Sequence, residues 1–193
     1  MRLMANLWHD AFGSAYPQWE AAIRHAGWHA MLLAAGYALA GTLCCASAFA
    51  TRSGGGSGGA WFLAAALLAL LGANALARVD LLTMYVLREV AHAQGWYEHR
   101  RAWQLLALGA LALAAALALG WLRTRLQAEW SRSKGTVLGV GLLVGVAALR
   151  AISLHGTDRA LDVHVAGVSI GRLLELAGLG LAAAGALRRA RTA

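Results

Sequence analysis

The chain has 193 residues, 60% of them hydrophobic and only 13% charged, about half the charged share of a soluble domain. A soluble domain of this length needs a polar skin that these residues cannot supply, and 23 glycines beside a single proline suit membrane helices better than soluble ones. The net charge of +8 does not point to nucleic acid, because basic residues gather at the ends of apolar runs, where they set membrane topology.

The first 25 residues carry His9, Asp10, Pro17 and Glu20 and no apolar core, so they are not read as a cleavable signal. Five apolar runs follow, each near the roughly 20 residues that cross a bilayer as a helix. They cover about 27–50, 60–77, 102–122, 135–152 and 165–187. The expected fold is a single all-α membrane domain, a polytopic transmembrane helix bundle of about five spans. A Gly- and Ser-rich turn, 51–59, joins the first two. After the second, an amphipathic segment occupies 78–101. The pattern leaves open whether 78–94 extends span two or lies flat in the headgroup layer.

Within span one, Cys44 and Cys45 are adjacent. Helix neighbours point about 100° apart, so the two are read as small packed residues, not as a disulfide. The third span is almost entirely Ala and Leu and is expected to face lipid. In the fourth, Gly135 and Gly139, and again Gly141 and Gly145, have the four-residue spacing that lets helix backbones approach closely.

Five spans divide the polar residues between two sides. The turn 51–59, the loop 123–134 and the C-terminal tail carry eight basic residues against Glu129. Positive residues mark the cytoplasmic side, which places the C-terminus in the cytoplasm and the N-terminus outside, in a bacterial inner membrane. The outward side is nearly neutral. It collects all seven histidines and seven of the nine acids, a sorting that topology alone does not require.

Four constellations could carry chemistry. His25 and His29, four apart at the start of span one, have the spacing of two imidazoles on one metal. On the amphipathic segment, Glu89 and His92 form a Glu-x-x-His pair beside Asp80 and Arg88. After span four come Arg150, Ser153, His155, Asp158, Arg159, Asp162 and His164. If helical, His155, Asp158 and Asp162 would form one stripe able to bind a divalent metal or manage protons. Arg172 and Glu175 lie inside span five, where charge is expensive, and are expected to pair as a structural lock.

The run Arg88-Glu89-Val90-Ala91-His92 leads into Ala93-Gln94-Gly95-Trp96-Tyr97-Glu98-His99-Arg100-Arg101. This stretch resembles a segment of an uncharacterised bacterial inner-membrane protein family marked by an Ala-Gln-Gly-Trp-Tyr-Glu-x-Arg-Arg block. Those proteins also carry a Ser-Phe-His-His-x-Asp motif after a later span. Here it reads Ser153-Leu154-His155-Gly156-Thr157-Asp158, with Gly156 in place of the second histidine. The resemblance implies membrane topology and favours these residues as candidates, without implying a reaction.

Two functions are therefore expected in turn. The leading one is an accessory or scaffold component of a membrane system, its partners the lipid bilayer and other membrane proteins. The alternative is a metal-dependent hydrolase at the membrane surface. In it His155, Asp158, Glu89 and Arg88 would be catalytic, and a divalent metal would sit among His25, His29, His92, His155, Asp158 and Asp162. A small transporter lacks the expected pair of broken helices or internal repeat. The topology is checked by labelling single cysteines introduced at His99 and Ser131 in a chain lacking Cys44 and Cys45. The two positions are expected to react from opposite sides, and reaction from one side would refute five spans.

Overall fold

The computed structural model describes residues 2–25, 27–56, 58–95, 130–152, 162–165 and 168–191, together with positions 102, 106, 109, 110, 113 and 117. Six helices are described: α1 Arg2–Arg24, α2 Gly27–Ser53, α3 Gly59–Ala77, α4 Val79–Ala93, α5 Trp130–Ile152 and α6 Ile170–Arg191. Ahead of α6, β1 His164–Val165 and β2 Val168–Ser169 pair antiparallel, Val165 opposite Val168. Helices α2, α3, α5 and α6 are long and apolar enough to cross a membrane. The protein is an all-α polytopic transmembrane helix bundle, consistent with about five spans. The expected third span, 102–122, lies outside the described residues except at six positions, all of them helical and exposed.

Each spanning helix buries one stripe against its neighbours and leaves the rest apolar and exposed, as a lipid-facing surface requires. On α2 the stripe is Tyr37, Ala40, Cys44 and Ala48, and on α3 it is Trp61, Ala65 and Leu68. Cys44 is buried and Cys45 half-buried, both free, as their adjacency on a helix predicts. Helix α2 packs on α3 and α6, and α6 packs on α5. Polar groups tie the same faces together. Ser47 Oγ donates to the Ala186 carbonyl at 2.8 Å, and Thr136 Oγ1 donates to the Ala182 carbonyl at 3.1 Å.

The α5–α6 seam is built from small residues. A Cβ placed on Gly139 would stand 2.5 Å from both the Gly178 carbonyl oxygen and the Ala182 nitrogen. Gly178, Ala182 and Gly185 follow one another along the facing stripe of α6. Of the two small-residue pairs in the sequence, Gly135 and Gly139 lie in this seam, whereas Gly145 faces open space.

One boundary differs from the sequence expectation. Span five was expected to begin at Val165, but the chain first forms the β1–β2 hairpin, closed by Ile170 N–H donating to the Val163 carbonyl at 2.9 Å. β-Branched valines at 163, 165 and 168 favour the extended form over a first helical turn. At the start of 78–94 the structure shows a break. Arg78 adopts a left-handed conformation (φ 49°, ψ 42°), ending α3 and starting α4 as a separate helix.

No element was expected over the first 25 residues, yet α1 forms there and packs on α4. It buries Ala11 and Ala15 and exposes Trp8, Phe12 and Tyr16 at four-residue spacing, an aromatic stripe of the kind found on helices at a membrane interface.

The seam gives a direct test. Gly139→Leu is expected to force α5 and α6 apart and lower stability by about 1–3 kcal/mol, the range for overpacking, while Gly145→Ala leaves it unchanged. Thermal unfolding in mild detergent distinguishes the two.

Candidate functional site

The site begins with the break at Arg78. A left-handed turn within an apolar helical stretch frees backbone groups that must find partners. Arg78 N–H donates to the Asn74 carbonyl at 2.7 Å. Trp19 Nε1–H, from α1, donates to the carbonyls of Ala77 at 2.8 Å and Arg78 at 3.1 Å. Asn74 Oδ1 accepts the Asp80 N–H at 3.0 Å and so caps α4. The side chains that secure the break are Asn74, one helical turn earlier, and Trp19 of α1.

Beside the break lies a cavity of about 610 Å³. Its wall is formed where the start of α2, the end of α3, the start of α4, the end of α5 and the start of α6 meet. The end of the bundle at which these termini gather is the one the sequence marks as outward. Eight ionisable groups besides Tyr37 line it: Arg78, Arg150 and Arg172, Asp80, Asp162 and Glu175, and the imidazoles His29 and His164. The three guanidinium groups and three carboxylates balance.

Glu175 is the deepest of these charges in sequence terms, about 7.5 Å along α6 from Ile170 at about 1.5 Å per residue. It is only 7% exposed. Its partner is Arg150 on α5, whose Nη1 donates to Oε1 at 2.6 Å. The expected Arg172–Glu175 lock is thereby corrected. Arg172 stands three residues earlier on the same helix, but its side chain is exposed, whereas Glu175 projects into the α5–α6 interface. Two carboxylate oxygens in the cavity wall, Glu175 Oε2 and Asp80 Oδ1, are buried without a hydrogen-bond partner among the described residues. For Asp80 the nearest cation is Arg78 Nε at 3.8 Å, an ion pair too long to be a hydrogen bond.

The remaining expected residues divide clearly. His29 and Asp162 line the cavity. His25 does not share a helix with His29: it sits in the turn after α1, its ring nitrogen 2.7 Å from the Ala21 carbonyl, and α2 starts afresh at Gly27 with φ 61°. Arg88 and Glu89 are 3.5 Å apart, and Arg88 also donates to Gln18 Oε1 of α1 at 2.9 Å. They belong to the α1–α4 contact and, like exposed His92, do not line the cavity. His155 and Asp158 lie outside the described residues. Among the described residues no three His, Cys, Asp or Glu side chains converge as a metal-binding group.

Arg78 and Asn74 were not among the sequence's candidates, whereas Arg150 and His164 stood in the constellation after span four. Arg150 and His164 were visible as polar residues beside span four and span five, but nothing in their spacing shows that they meet Asp80 and Glu175.

Removing Arg150 strands the Glu175 carboxylate. Arg150→Met is expected to lower stability by about 2 kcal/mol, less than the roughly 3–5 kcal/mol of a fully buried pair because Arg150 is 35% exposed. Arg172→Met is expected to stay within about 0.5 kcal/mol. Equal losses in detergent unfolding would show that the pair is not the anchor.

No protein-family model matches the chain, and neither a curated protein nor a solved structure is similar to it.

Proposed function

We propose that this chain is an accessory component of a bacterial inner-membrane system, and that it acts by holding a small polar ligand in its outward cavity. The carrying observation is the cavity itself: about 610 Å³, within the usual range for small-molecule sites, and walled by balanced charges at the end of a membrane bundle. Charges in such a place are costly unless they serve a ligand or a lock. One pair, Arg150–Glu175, is a lock. Arg172 and Asp162 line the same wall and have no ion-pair partner among the described residues.

On this reading the N-terminus and cavity lie outside and the C-terminus lies in the cytoplasm, as the charge asymmetry favours. Membership of the family with the Ala-Gln-Gly-Trp-Tyr-Glu-x-Arg-Arg block is part of the same proposal. For the hydrolase reading, His155 and Asp158 lie outside the described residues, and Arg88 binds Gln18 of α1 instead of lining the cavity.

Native mass spectrometry of the gently solubilised protein tests the binding role. Wild type is expected to carry an unmodified small-molecule adduct. Ala147→Phe, which fills the cavity from α5, is expected to remain folded and lose it. A wild-type protein without adduct, indistinguishable from Ala147→Phe, would overturn the reading, and release of a chemically altered adduct would favour an enzyme.

A further inference from the structure

We propose that the cavity receives a zwitterion in which a primary ammonium is joined by a short linker to a phosphate; this rests on the binding role above and names its ligand class. The argument starts from the two unsatisfied carboxylate oxygens. Glu175 Oε2 and Asp80 Oδ1 are buried in the cavity wall, both acceptors and neither with a donor among the described residues. Glu175 is more than nine-tenths buried. Each lacks an N–H, and an ammonium brings three.

A bare cation does not fit, because Arg78, Arg150 and Arg172 line the same space. A bare anion does not fit either, because it would leave both carboxylate oxygens without donors beside it. The guanidinium groups of Arg78 and Arg172 make no side-chain hydrogen bond within the described residues, and they can take an anion that the ammonium carries with it. A net-neutral ligand with both charges matches a wall whose guanidinium and carboxylate charges cancel.

Two guanidinium groups favour phosphate, whose oxygens accept their forked donors. On the reading above, the cavity joins helix ends at the outward face of the membrane. Two sources present this chemistry there: the headgroup of an ethanolamine phospholipid, and free phosphoethanolamine.

The test uses the full chain, purified in a maltoside detergent and stripped of lipid. Short-chain phosphatidylethanolamine, phosphatidylcholine and phosphatidylglycerol, and free phosphoethanolamine, are titrated against it, with bound mass and the rise in unfolding temperature as readouts. Phosphatidylcholine keeps phosphate and net charge but has no N–H, so it isolates the carboxylate contacts. The ethanolamine lipid is expected to bind at least about tenfold more tightly than the choline lipid. Asp80→Asn, close in shape, is expected to reduce that preference to about twofold, and Arg172→Gln, at an exposed position, to weaken both lipids alike. Free phosphoethanolamine binding as tightly as the lipid identifies a soluble source, and much weaker binding identifies the lipid; either outcome upholds the proposal. Equal binding of the ethanolamine and choline lipids, or tighter binding of phosphatidylglycerol, overturns it while leaving the binding role intact. Absence of any ligand, native or added, removes both.

Discussion

A carboxylate inside a membrane-spanning helix has to be matched by a cation, and here the match is made between helices. Glu175 of α6 and Arg150 of α5 meet at 2.6 Å. That contact is available only because the two helices are already close. The closeness comes from Gly139, Gly178 and Gly185, where an added Cβ would collide with the opposing helix. Small residues set the distance and the ion pair fixes the register at one end. Lipid supplies no hydrophobic force between helices, so close packing and polar contacts of this kind have to hold the bundle.

The same demand explains the break at Arg78. Non-helical backbone at membrane depth survives where it is buried in protein or lines a cavity. Arg78 meets the second condition. Trp19 and Asn74 satisfy the freed groups, and the cavity receives the Arg78 side chain. A non-glycine residue with φ 49° is uncommon and costs free energy, of order 1–3 kcal/mol. What the strain gains is direction: ending α3 here turns α4 away and leaves room for the wall of the cavity. It also ties α1 to the site, since the indole that secures the break comes from α1.

Much of this architecture is legible in the sequence because hydropathy is a local property. The spans at 27–50, 60–77 and 135–152 emerge within a few residues of α2, α3 and α5. The spacing of Gly135 and Gly139 foretells a close seam, and the sorting of histidines and acids foretells a polar end. What is not legible is pairing. Spacing along one helix favours Arg172 for Glu175, and only the α5–α6 contact, 25 residues away in sequence, makes Arg150 the partner. The break at Arg78 has no glycine or proline to announce it. Helix α1 is hidden by Pro17 and by a stripe of aromatics too interrupted by charge to read as a span. His25 and His29 look like one face by counting, until a turn separates them.

The distribution of charge then bears on what the site can do. A lone buried pair such as Arg150–Glu175 explains itself as structure, and replacing such a pair with apolar residues is often no loss in stability. A wall with additional charges does not explain itself in that way. The unsatisfied oxygen of Asp80 adds cost without adding packing, and exposed Arg172 and Asp162 add charge to the same wall. Retaining them in an apolar bundle makes physical sense when their cost is returned on binding, each to a group of opposite character. The contacts that position them, namely the break, the cap from Asn74 and the seam beneath Glu175, are then parts of one arrangement that holds a polar cavity open at the edge of a membrane.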